Sequence, residues 1–80
     1  MDRLENQPHM VGLKQSNKAV QSGNAILAYI ARDADMHVIF PFEKLCEAKN
    51  IPIVYVNNMK ELAKACHVDV ATAVAVLLTK

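Results

Sequence analysis

Apolar residues in this chain fall into blocks of two kinds, and the two kinds alternate. Ala25-Ile-Leu-Ala-Tyr-Ile-Ala31 is a nearly continuous apolar run of strand length, the pattern of a strand covered on both faces. Ile51-Pro-Ile-Val-Tyr-Val56 predicts a second strand, with Pro52 tolerable only near its start, and Ala73–Leu78 predicts a third. His9–Val11 reads as a brief edge strand leading into Gly12. Other blocks carry helical spacing. Met59, Leu62, Ala63 and Cys66 recur at i, i+3, i+4 and i+7, the strongest helix signal in the sequence. Between Gly12 and Gly23 a helix of one to three turns fits, with Leu13 and Val20 on one buried seam and Ala19 beside them. A helix is also expected over Met36–Lys49, broken by Pro41 into a short first turn and a new start with the proline near its first position. Its buried stripe would be Phe42, Leu45 and Cys46, with Glu43 and Glu47 in water and Asn50 as its end. Residues 1–8 are polar apart from Met1 and Leu4, and Pro8 would stop any short helix there.

The connections carry turn and cap chemistry. Ser22-Gly23-Asn24 is a clear break. Arg32-Asp33-Ala34-Asp35 is a polar loop in which Asp33 or Asp35 can cap the next helix, and Asn57-Asn58 is a turn and N-cap. Val68-Asp69-Val70 is a short apolar loop before the last strand. Alternating strands and helices predict an α/β fold: a three-layer α-β-α sandwich with a small mixed sheet and right-handed crossovers, residues 1–80 forming a single domain.

Composition narrows the function. The net charge of +1 argues against a general polyanion binder, so any nucleic-acid site must be compact, with few phosphate contacts. No apolar run reaches the length of a membrane span and no signal-peptide pattern opens the chain, which leads us to expect a cytoplasmic protein. Cys46 and Cys66 form no Cys-x-x-Cys pair and sit on apolar stripes, so both are expected to be buried and reduced. His9, His37 and His67 are scattered singly, so neither a metal nor a cofactor is expected. No nucleophile stands beside a credible base and no Gly-rich phosphate loop is present, so no enzyme is expected. The cluster Asp33, Asp35 and His37 is explained by capping and loop roles.

One stretch does carry candidate chemistry. From Val11 to Arg32 the chain holds three basic residues and no acid. Lys14, Gln15 and Lys18 cluster on and next to the first turn of the helix after Gly12, away from its apolar seam. A basic, polar helix start offers backbone N–H groups, the positive dipole end and long donors together, which suits an anion or a nucleic acid. A plain solvated helix face is the simpler alternative.

With these segments placed, the sequence resembles the ribosomal protein L7Ae family over about Val11–Leu78. Gly12-Leu13-Lys14-Gln15 followed by Lys18 is similar to the bacterial form of the family's Gly-Thr-Asn-Glu…Lys element. Ile30-Ala31-Arg32-Asp33 resembles its Ile-Ala-x-Asp element, and Leu45-Cys46-Glu47-Ala48-Lys49-Asn50-Ile51-Pro52 its Leu-Cys-Glu-x-Lys-Asn-x-Pro element. Met59–Cys66 is similar to the corresponding helix of bacterial members. Val68-Asp69-Val70 occupies the place of the apolar–acidic–apolar loop flanking the RNA site.

The resemblance implies a monomer that binds structured RNA containing a kink-turn, with ribosome or riboswitch association. Gly12 would let the backbone approach RNA. Lys14 and Gln15 would read guanines of tandem sheared G·A pairs, and Lys18 would reach a base edge or phosphate. Val68 and Val70, with Asp69 between them, would form a shelf for an extruded nucleotide, and Arg32 would reach the RNA backbone. Three residues depart from the family pattern: Leu13 stands where threonine is usual, Ala63 where a glycine follows leucine, and His67 where a glycine precedes the apolar loop. That glycine suits a positive φ at a helix end, which histidine adopts only at some cost. The departures are expected to change the shape of that loop and with it RNA affinity or selectivity. Had they abolished RNA affinity, a protein-interaction module of the same fold would remain.

Overall fold

The computed structural model describes residues 7–79. The short helix weighed for the first residues therefore lies outside the described part. The elements run β1 (His9–Val11), α1 (Leu13–Gln21), β2 (Ala25–Ala31), α2 (Met36–Ala48), β3 (Ile53–Val56), α3 (Met59–Ala65) and β4 (Val74–Leu78). The four strands form one sheet in the order β1-β4-β2-β3. β2 and β3 are parallel, and β4 runs antiparallel to both β1 and β2, so the sheet is mixed.

Helices cover both faces. Ala19 and Val20 of α1 pack with Ile39, Phe42 and Cys46 of α2 against Ala28, Ile30, Val74 and Val76. On the other face Leu62, Ala65 and Cys66 meet Tyr29, Ala31, Ala75 and Leu77. Alternate residues of β2 and β4 thus serve opposite layers, as strand geometry requires. This is the α-β-α sandwich expected from the sequence. Neither cysteine is in a disulfide; burial pushes both thiols up to about 11, with the Glu43 charge adding to the effect at Cys46.

Two local expectations are corrected. The buried seam of α1 is Ser16, Ala19 and Val20, whereas Leu13 is 36% exposed. Leu13 is the first helical residue, where the chain has just left the sheet, so a partner layer reaches only the turns that follow. Ser16 is fully buried, and among the described residues its hydroxyl has no hydrogen-bond partner. Second, α2 is continuous from Met36 to Ala48 with Pro41 inside it. The Asp35 carboxylate accepts from the His37 N–H at 2.8 Å and holds the first turn, and Ile39 and Phe42 anchor the helix on either side of the proline. Their burial outweighs the one backbone bond that Pro41 cannot donate.

The helix ends follow one rule. After α1, Gly23 N–H bonds Val20 and Asn24 N–H bonds Ala19; after α2, Asn50 bonds Glu47 and Ile51 bonds Cys46; after α3, His67 bonds Lys64 and Val68 bonds Ala63. Each of these turns needs a residue in the left-handed region, supplied by Gly23 (φ 79), Asn50 (φ 58) and His67 (φ 61). The sequence expectation for His67 is met: a histidine holds the conformation a glycine would take more cheaply.

Candidate nucleic-acid interface

Where β1 ends, the chain turns into α1 through Gly12 at φ 91 and ψ 158. Gly12 N–H donates to the Val74 carbonyl at 3.0 Å, which fixes the helix start against β4. The first intrahelical bond runs from Ser16 N–H to Gly12 O at 2.9 Å. The N–H groups of Leu13, Lys14 and Gln15 precede that bond and find no cap: among the described residues no side chain bonds this helix start, and its first turn holds no acid. A Cβ added to Gly12 would meet nothing within 4 Å. Glycine is needed there for its positive φ, and the space above it is open.

The other helix starts are closed. Asp35 caps α2, and Asn58 caps α3 by accepting from Glu61 N–H at 2.8 Å. Asp33 also closes α3, reaching across from the loop after β2 to accept from Met59 N–H at 2.8 Å. Both acids of the Asp33-Ala34-Asp35 loop are thereby engaged as caps.

The turn after α3 brings a second segment to Gly12. Val11 and Gly12 line one side of an open groove of ≈ 530 Å³, and His67 to Thr72 line the other. Val68 is 37% exposed and Val70 77%, so this loop does not pack into the core. Thr72 ties its far end down: the Thr72 hydroxyl donates to Val74 O at 2.9 Å. The fold therefore joins Gly12, Val68, Asp69 and Val70, which lie far apart in sequence, into one surface.

Lys14, Gln15 and Lys18 are all exposed on α1. Gln15 and Lys18 line a second groove, of ≈ 510 Å³, running along the other side of the helix toward Met10, Ser22, Asn24 and Thr79. Sequence patterning gives no sign of this groove, because it is built between α1 and the edge of the sheet. Arg32 stands apart. It follows β2 at the same sheet end as Gly12, two strand spacings from β1, about 10 Å. Its guanidinium lies 5.6 Å from the centre of the Tyr55 ring. The Tyr55 hydroxyl donates to Glu43, and that bond raises the pKa of the phenol. Among the described residues no group of His, Cys, Asp and Glu is placed to hold a metal ion.

The chain is similar to known proteins in sequence and in structure. An RNA-binding protein of Caldanaerobacter subterraneus subsp. tengcongensis is 46% identical over 66 residues, which is 82% of this chain and 80% of that protein. RNA-binding protein YbxF of Geobacillus stearothermophilus is 38% identical over 69 residues, 85% of this chain and 84% of that one. A Giardia lamblia 15.5kD RNA binding protein of known structure matches with a TM-score of 0.83 and 33% identity, over 90% of this chain and 61% of the Giardia chain. A family model matches residues 4–80, and the chain belongs to the family it describes, the ribosomal protein L7Ae/L30e/S12e/Gadd45 family.

Proposed function

We propose that this chain is an RNA-binding protein that recognises kink-turn motifs, with tandem sheared G·A pairs, in structured RNA of the ribosome or of a riboswitch. The observation that carries the reading is the open start of α1. Three backbone N–H groups without a side-chain cap and the dipole end follow a bare glycine that lines one groove, and the same helix exposes Lys14, Gln15 and Lys18, the last two lining a second groove on its other side. The relatives described above, which are called RNA-binding proteins, support the same reading.

In this reading each residue has a chemical task. Lys14 donates to guanine O6 and N7, the acceptors used by specific guanine contacts. Gln15 both donates and accepts, fixing register on the paired bases. Lys18, one turn on, meets a base edge or phosphate. A sharply bent RNA opens its groove to a helix end that regular A-form geometry would exclude, and Gly12 lets the backbones close together. Val68 and Val70 hold an unstacked nucleotide, with Asp69 available to accept from its edge, and Arg32 is the outlying cation for the RNA backbone.

A mobility shift at fixed salt tests this with a kink-turn RNA and a partner whose G·A pairs are disrupted. Binding to the disrupted RNA should be weaker by about 5- to 150-fold for each guanine that is no longer read. Equal binding to both would overturn kink-turn recognition and leave a phosphate-binding patch.

A further inference from the structure

His67 has no task in the site just proposed, and two independent observations give it one. The first is conformational. At φ 61 it holds a left-handed position that glycine takes at least cost and that histidine, like Asn50 at the end of α2, adopts more readily than most side chains but still at some cost. Positions of this kind are held by the surrounding structure and cluster at ligand sites. The second is location. His67 is exposed and lines the same groove as Gly12, Val68 and Val70. It is the only ring among the described residues lining that groove, whose other walls are mainly aliphatic. The turn that presents it is braced by its neighbours: the His9 ring nitrogen Nε2 lies 3.4 Å from the Cys66 carbonyl, and Val68 N–H returns to Ala63.

We propose that His67 is an RNA-contacting residue, its imidazole forming the aromatic wall against which the nucleotide held by the Gly12–Val70 groove stacks. This inference rests on the RNA-binding reading above. An aliphatic shelf excludes water from a base but offers no π-face, whereas a ring supplies stacking that any of the four bases can use. The imidazole N–H can also donate to a phosphate oxygen. His67 would thus add affinity without adding sequence preference, leaving discrimination to the start of α1.

The test exploits opposite signs. His67→Gly relieves the left-handed turn, so the melting temperature should rise, by about 4–8 °C for a domain of this size. In the same protein kink-turn affinity should fall by about fivefold or more, the effect of removing one stacked side chain. His67→Asn, which tolerates the same φ, should lose affinity comparably while keeping the fold. Wild-type affinity in both variants would overturn the proposal. Lys14→Ala, run beside them, separates the two ideas. If Lys14→Ala weakens binding and His67→Gly does not, only the role of His67 fails. If the wild-type protein does not prefer the kinked RNA, the kink-turn reading fails, and loss of affinity in the His67 variants then decides the contact alone. A wild-type protein with no affinity for either RNA overturns both.

Discussion

Helix α1 and helices α2 and α3 finish in the same way but begin differently. All three end in a left-handed residue whose turn returns two N–H groups to the last carbonyls. At their starts, α2 has Asp35 and α3 has Asn58 and Asp33, while α1 has only Gly12, with no side-chain cap. Glycine in place of a capping side chain costs a helix only about a few tenths of a kcal/mol, so the open start of α1 gives up little of the stability that the same chain secures at its two capped helices. What it keeps is a set of backbone donors that no side chain among the described residues caps, with no acid in the first turn of the helix itself. The capped starts hold the fold together, and the open one is free to meet an anion. The strongest local difference between otherwise similar helices therefore coincides with the basic cluster and the groove.

Substitutions at the open and at the capped helix starts should have opposite effects. The largest effect is expected at the open start: Lys14→Ala or Gln15→Ala should weaken kink-turn binding by about 5- to 150-fold, roughly 1–3 kcal/mol, with the melting temperature unchanged. Lys18→Ala should cost less and flatten the salt dependence. Equal losses on RNA lacking the G·A pairs would remove the specificity assigned to this helix start. At the closed starts the pattern should reverse. Asp35→Ala and Asn58→Ala should each lower the unfolding free energy by about 1 kcal/mol in denaturant titrations and leave RNA affinity within twofold, roughly 0.4 kcal/mol. The smallest effect belongs to Ser16→Ala. Its buried hydroxyl has no partner among the described residues, so stability should stay level or rise by up to about 1 kcal/mol, an increase that leaves the RNA surface untouched.

Element order and most boundaries are legible because the chain switches cleanly between period-two or continuous runs and helical spacing. β2 at Ala25–Ala31 coincides with the apolar run, and Asn58 caps α3 as its side chain suggests. Pattern and structure part where tertiary packing overrides local signal. Leu13 lies seven residues from Val20, but at the first helical position it has no layer above it, and Ser16 goes inside instead. Pro41 looks like a break until Ile39 and Phe42 pin the helix on both sides of it. Asp33 stands where a cap for the next helix is expected, yet it caps α3, a pairing across the sheet end that no sequence spacing encodes. The candidate site is legible as separate motifs. That Gly12 meets the Val68–Val70 loop while Gln15 and Lys18 line a different groove depends on β1 and β4 being neighbours, which is long-range information.

That adjacency also bears on how the molecule folds. β2, α2 and β3 form a parallel unit from consecutive segments, whereas pairs such as His9↔Leu77 and Val11↔Ala75 join opposite ends of the described chain. Pairings of such separation carry the largest loop-closure entropy and slow the search for the native topology. Both sides of the groove hang on that closure: Gly12 is bonded to Val74, and the Val68–Val70 loop leads through residues 71–73 into β4. A partly folded chain with β2–β3 formed and β4 undocked has no groove at all. Site assembly and closure of the sheet are one event, so a ligand that grips both sides of the groove also holds shut the pairing of highest order in the fold.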